Sequence, residues 1–249
     1  MRSTAAAAPA PWSRAGRNPP PARALLAAIL ALGLAKPALA QVSAGVSVQS
    51  DYRLRGYSVS GENPVGVLDL AYDHSSGLYT NGSVIGGRRD GDLEVVGLIG
   101  NVGYARRLNE RLTLDVGVVR TSRLQRYGSV ATGRYTEGYL GLNAGAVSAR
   151  ISYSPDYLRD RARTLYGEVN AGVDTVAKLR LDGHLGYLNC LDAPVRWQCT
   201  NRVDWRIGVS RQFDQLDLQA SLSGAAAPGG RSLRLGDNPA LVVGASWTF

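Results

Sequence analysis

The 249 residues carry 28 Lys and Arg against 20 Asp and Glu, a formal charge of +8, with two Cys and two His. Five of the cations, Arg2, Arg14, Arg17, Arg23 and Lys36, fall in the first 40 residues, which hold no acid, so the remainder carries only +3. Overall basicity therefore gives no ground for nucleic-acid binding, and no basic patch interleaved with aromatic residues takes its place.

The first 40 residues combine those cations with an apolar run from Ala24 to Leu34 and with Ala38-Leu39-Ala40 before Gln41. This pattern predicts a cleaved secretory signal over 1–40. The run is short of the ~20 residues that a helix needs to cross a bilayer. Residues 41–249 are one domain by length and contain no apolar stretch long enough for a spanning helix.

A strict period of two begins at Val42. Val42, Ala44, Val46, Val48, Ser50, Tyr52 and Leu54 alternate with Ser43, Gly45, Ser47, Gln49, Asp51, Arg53 and Arg55. Such alternation predicts a strand with one apolar and one polar face, and it sets Arg53 and Arg55 on the face of Asp51.

Eleven further strands follow by the same criterion: 65–74, 78–87, 93–104, 111–121, 135–144, 147–154, 164–174, 179–188, 203–213, 216–223 and 240–249. Their apolar faces are continuous, as in Leu68, Leu70, Tyr72 or Val203, Trp205, Ile207, Val209. The opposite faces carry Asp69, Asp73, Asp115, Arg150, Glu168, Arg180, Asp182, His184, Asp204, Arg206 and Asp217. Connections alternate in length. Short turns such as "SSG", "GA" and "DQ" follow every even strand, while segments such as "PDYLRDRAR" and "NCLDAPVRWQCTNR" follow most odd ones. Sorting of loop length by parity is the layout of an outer-membrane barrel, with periplasmic turns on one rim and extracellular loops on the other. The fold class expected is therefore all-β, an antiparallel up-and-down transmembrane barrel of about 12 strands, with 10 or 14 as alternatives.

On this reading Arg53 and Arg55 face a wet lumen, since on the lipid side each would cost ~2–4 kcal/mol near the midplane. The C-terminal "GASWTF" places Gly244 and Trp247 ahead of a final Phe249, which resembles the signal read by the barrel-assembly machinery. "SDYRLRGYSVSGENP" resembles the opening of the TorF-type porin family, through Ser50, Asp51, Tyr52, Arg55, Gly56, Ser58, Asn63 and Pro64, with Leu54 at a usually aromatic position. "YTEGYLGL", "YSPDYL" and "TLYGEVNAG" are similar to later family blocks, whereas "TNGSVIGG" departs from the pattern. The resemblance implies an outer-membrane location and a barrel fold more than any particular solute.

Asp51, Arg53, Arg55, Glu137, Glu168 and Arg206 are the lumen candidates. Two readings stand beside each other: rings of charge that select ions, or ion pairs of Arg53 and Arg55 with Asp51, Glu137, Glu168, Asp204 or Asp217 that fill the lumen. The segments expected outside carry twelve arginines against seven acids. Such a mouth attracts anions or pairs with lipopolysaccharide phosphates, for which Arg is well shaped. An exported chain with only Cys190 and Cys199 is expected to join them. Two thiols with no nearby His are too few for zinc, and no metal or other cofactor is implied. His74 and His184 are the only histidines, at a turn and beside Asp182 on the lumen face, so no nucleophile–base pair meets a lipid or a rim. The expected function is passive diffusion of small hydrophilic solutes. The competing one is a closed barrel that is structural or binds a ligand or lipopolysaccharide.

Overall fold

Alternating side chains can satisfy water and lipid at once only if the strand ladder has no open edge. The computed structural model, which describes residues 42–89, 91–125, 132–158, 161–176, 178–192, 200–227 and 238–249, meets that condition. Its strands in chain order begin with β1 (Val42–Gln49), β2 (Arg53–Leu54), β3 (Tyr57–Ser58), β4 (Val65–Asp73) and β5 (Leu78–Arg89). Then come β6 (Asp92–Arg107), β7 (Thr113–Gln125), β8 (Thr132–Ala144), β9 (Val147–Ser154) and β10 (Arg163–Asp174). The last four are β11 (Arg180–Asp192), β12 (Arg202–Phe213), β13 (Leu216–Ala226) and β14 (Ala240–Thr248). All but β2 and β3 form one closed antiparallel barrel of 12 strands, each paired with its sequence neighbour and β1 paired with β14.

The parity of the two faces follows the sequence pattern. Leu70, Val118, Ile151, Leu185, Ile207 and Leu222 point outward and are exposed by 44–66%. An apolar belt of that extent is stable only against lipid. Asp115, Glu137, Ser152, Asp204 and Ser223 point inward and are buried.

Several strand ends shift by a few residues, as β7 to Gln125 and β11 to Asp192, and two differences bear on the architecture. The ladder of β5 and β6 runs on to Arg89 and Asp92, so residues 90–91 alone join them where a longer connection was expected. A register shift between Ile85 and Gly86 lets this hairpin bend as it extends. The second difference is larger. β1 stops at Gln49, and residues 50–64 leave the wall instead of continuing it.

Ile207 lies on the lipid face of β12, 66% exposed. Ile207→Arg is expected to lower the unfolding free energy by about 2–4 kcal/mol, measured by urea unfolding in lipid vesicles. An unchanged midpoint would contradict the assigned orientation.

Candidate functional site in the barrel lumen

Ser50 continues the pairing with β14 for one more residue: its N–H donates to the Val243 carbonyl at 2.9 Å, and its Oγ accepts from the Val243 N–H at 3.1 Å. The chain then turns inward around Asp51, whose carboxylate is only 4% exposed. Ser58 and Ser60 hydroxyls donate to Asp51 Oδ1 at 2.6 and 2.7 Å, and Arg53 Nη1 donates to Oδ2 at 3.2 Å. The Val59 N–H closes the loop onto the Tyr52 carbonyl at 2.8 Å. Between them β2 and β3 pair as a hairpin whose turn is Arg55 and Gly56, both at positive φ (50° and 77°). Two-residue hairpins favour such a turn because its twist matches that of the strands. A Cβ on Gly56 would also sit 2.5 Å from the Gly224 carbonyl oxygen of β13, so Gly is required twice over.

This hairpin is a plug. Tyr57 and Val59 are buried in one apolar cluster with Tyr135 of β8, Tyr157, Tyr166 of β10 and Leu188 of β11. On another part of the wall Tyr52 packs against Val65, Val67, Ile85 and Val96. At the tip, Arg55 Nη2 donates to both Glu137 oxygens at 2.8 and 2.7 Å, and its guanidinium lies 3.9 Å from the centroid of the Tyr166 ring. Arg53 Nη2 bridges the Gly56 carbonyl at 2.8 Å and the Asn238 carbonyl at 2.7 Å. Burial alone would lower the Arg55 pKa. Tyr157, Tyr135 and Glu137 outweigh it and hold the group well above its ordinary value, so the tip stays charged. Burial, and then the charge of Asp69, push the Tyr52 hydroxyl up to about 12.

Below the plug two further networks cross the lumen. In the first, Tyr79 donates to Asp115 Oδ1 at 2.6 Å and meets the Tyr139 hydroxyl, while Arg150 reaches Asp115 Oδ2 at 3.1 Å and stacks 4.2 Å from the Tyr139 centroid. Space for these rings comes from Gly103 and Gly117, where a Cβ would collide with the tyrosine hydroxyls. In the second, His184 Nε2 lies 2.8 Å from Asp204 Oδ1 and Nδ1 lies 2.7 Å from Asn170 Oδ1. The Tyr166 hydroxyl donates to the same Asp204 oxygen at 3.1 Å. A cavity of about 320 Å³ remains between plug and networks, walled by Arg55, Glu137, Tyr166, Glu168, His184 and Arg206 among others.

The candidate residues thus separate. Asp51 pairs with Arg53 and Glu137 with Arg55, whereas Glu168 and Arg206 stand on the cavity wall, Arg206 with Asp182 at 2.9 Å. Arg53 and Arg55 belong to the inward hairpin and not to a face of the wall strand, which corrects the extended first strand. His184 is bonded to Asp204 and Asn170, not to Asp182, and both its ring nitrogens are engaged. Tyr79, Tyr139 and Tyr166 were not singled out by sequence. Their signal was the inward-facing glycine beside each ring, Gly103, Gly117 and Gly186. Of the expected disulfide, Cys190 lies near the end of β11, where its N–H donates to Asn201 Oδ1 at 2.9 Å, and Cys199 lies outside the described residues. At the C-terminus Trp247 faces outward, Gly244 faces Gln219 across the ladder, and the Phe249 N–H donates to the Ala44 carbonyl at 2.9 Å.

Over residues 35–228 the sequence matches the family described as "Bacterial protein of unknown function (Gcw_chp)", and the chain belongs to that family. No curated protein sequence matches it. Among solved structures the chain is similar to the KdgM porin, with a TM-score of 0.53 and 11% identity over 83% of this chain and 99% of that one. The KdgM porin in complex with disordered oligogalacturonate gives 0.51 and 11%, over 84% and 99%. The NanC porin gives 0.53 and 10%, over 83% and 98%. At these identities the likeness is one of fold, a closed twelve-stranded barrel.

Arg55→Ala leaves Glu137, with a side chain 7% exposed, without its cation. It is expected to lower the unfolding free energy by about 3–5 kcal/mol, and Arg55→Ala/Glu137→Ala by less than Arg55→Ala alone. Urea titration of the three proteins as a double-mutant cycle reads the coupling; additive losses would contradict the pair.

Proposed function

We propose that this Gcw_chp chain is an outer-membrane channel for passive diffusion of small hydrophilic solutes, with its bore set by the inward-folded first loop. The observation that carries the reading is the gradient of burial along the lumen. On the long-loop side Tyr57, Ser58, Thr164, Ser154 and Asp204 are at most 2% exposed. On the short-turn side the inward-facing Asp69, Asn81, Asn143 and Asp174 are open to water. A wide aqueous vestibule therefore leads to a plugged constriction with a chamber beneath it, and about 300 Å³ is the low end of ligand-sized pockets. The TorF-type porin resemblance and the porin-like fold support the same reading. So does the KdgM porin, a barrel of similar fold described in complex with disordered oligogalacturonate.

The rest of the assignment goes with it. Residues 1–40 serve as the export signal, and Gly244, Trp247 and Phe249 address the chain to the barrel-assembly machinery. Cys190 joins Cys199 in an oxidising compartment, and the arginine-rich connections meet lipopolysaccharide at the outer leaflet. No reaction is assigned to the lumen, where His184 orients Asp204 and Tyr166. The closed-barrel reading is favoured by one observation only, the completeness of the bonding around Asp51.

Single-channel recording in planar bilayers separates the two. The native protein is expected to give small conductance steps and Arg55→Ala/Glu137→Ala larger ones, because the plug loses its tether. Absence of steps from both proteins would contradict the channel reading.

A further inference from the structure

The balance of paired and unpaired charge in the lumen deepens the channel reading, on which it rests. Among the described residues the arginines that face the lumen are engaged, Arg107 at the short-turn rim excepted. Arg53 holds Asp51 at 3.2 Å, Arg55 holds Glu137 at 2.7 Å and Arg150 holds Asp115 at 3.1 Å. Arg180 holds Asp174 at 3.1 Å and Arg206 holds Asp182 at 2.9 Å. Arg202 lies over the Tyr57 ring at 5.1 Å. Arg107 stands on the last rung at the short-turn rim, where Asp73 also ends its strand.

The carboxylates are in excess. Among the described residues, Asp69 accepts only the Ser83 hydroxyl, at 2.5 Å, and Asp217 has no cation within 4.0 Å. Glu168 has no described Lys or Arg within 4.0 Å, and the His184 ring lies 4.0 Å from it. Their placement is uneven. The networks of Tyr79, Tyr139 and Arg150 fill the β5–β9 side, so the open space of the short-turn half lies along β13, β14, β1 and β4. There a cavity of about 300 Å³ is walled by Ser47, Gln49, Gln219, Ser246 and Thr248, with Asp69 as its one charged side chain. Asp217 is next but one to Gln219 on the same face of β13 and opposes Ser246.

The geometry points to a pore that prefers cations and uncharged solutes over anions, with Asp69 and Asp217 as the residues that set the preference. A fixed carboxylate on the wall of a water-filled passage between low-dielectric walls raises the local concentration of counter-ions and repels anions. Among the described residues, an acidic sugar chain, the kind of solute named with the KdgM porin, would find only Arg107, at the rim, without an acidic partner in the open half. The excess of arginines over acids in the segments expected outside pulls the other way. The sign of the selectivity therefore reports which set of charges governs.

Reversal potentials in a KCl gradient test this, on the full barrel, for the native protein, Asp69→Asn, Asp217→Asn and the double variant. Heat-modifiable gel migration confirms that each is folded. The native potassium-to-chloride permeability ratio is expected to exceed 1, and to fall toward 1 stepwise as each carboxylate is neutralised. Anion preference in the native protein, or a ratio untouched by both substitutions, would overturn this inference and leave the channel reading standing. Absence of conductance from the native protein and from Arg55→Ala/Glu137→Ala would overturn both.

Discussion

A carboxylate inside a barrel must find donors, and Asp51 finds them in its own chain, at Arg53, Ser58 and Ser60. The bonds from Ser58 and Ser60 are incompatible with a straight strand, in which those residues would stand roughly 20–30 Å further along. The wall strand therefore ends at Gln49, the chain doubles back at Arg55 and Gly56, and the hairpin that results is aimed into the lumen. Once there it is held by what the wall supplies: Glu137 for the guanidinium of Arg55, Tyr166 for its face, and Tyr135, Tyr157 and Leu188 for Tyr57 and Val59. A buried ion pair adds little net stability over an apolar contact, yet breaking it is costly. Its effect here is to keep the plug in one position.

Beneath the plug, the interior is partitioned by size. Inward-facing glycines at 103, 117 and 186 make room for Tyr79, Tyr139 and Tyr166, so that large rings from one strand lie over bare backbone on the next. Large-over-small packing fills one side of the barrel with hydrogen-bonded networks. The other side, where β1, β13 and β14 present Ser and Gln, stays open. A passage that hugs one wall follows directly from that asymmetry.

Much of the barrel is legible in the sequence because period-two alternation reports which face meets lipid, and the paired ladders require that face to be continuous. Leu185 and Ile207 on one side and Asp204 and Arg206 on the other are read correctly from parity alone. The same rule misleads at Ser50, Tyr52 and Leu54. Alternation says that neighbouring side chains see different environments, and a hairpin inside the lumen satisfies this as well as a strand in the wall does. Polar composition was the discriminating sign: "SDYRLRGYSVSGEN" has Gly56 and Gly61 at positive φ and three serines. The tyrosine networks were hidden for a different reason. Each joins strands distant in sequence, as Tyr79 joins Asp115 and Tyr139, and such contacts are set by barrel closure and not by local pattern.

The central claim is that residues 51–60 lie inside the barrel. Ser58 is 1% exposed and donates to Asp51, and Ser58→Cys is a small change at that position. In a protein with Cys190 and Cys199 replaced by Ser, a membrane-impermeant thiol reagent applied from the long-loop side should leave Cys at position 58 unlabelled until the barrel is unfolded. Labelling at the rate of an exposed loop cysteine in the folded protein would contradict the account.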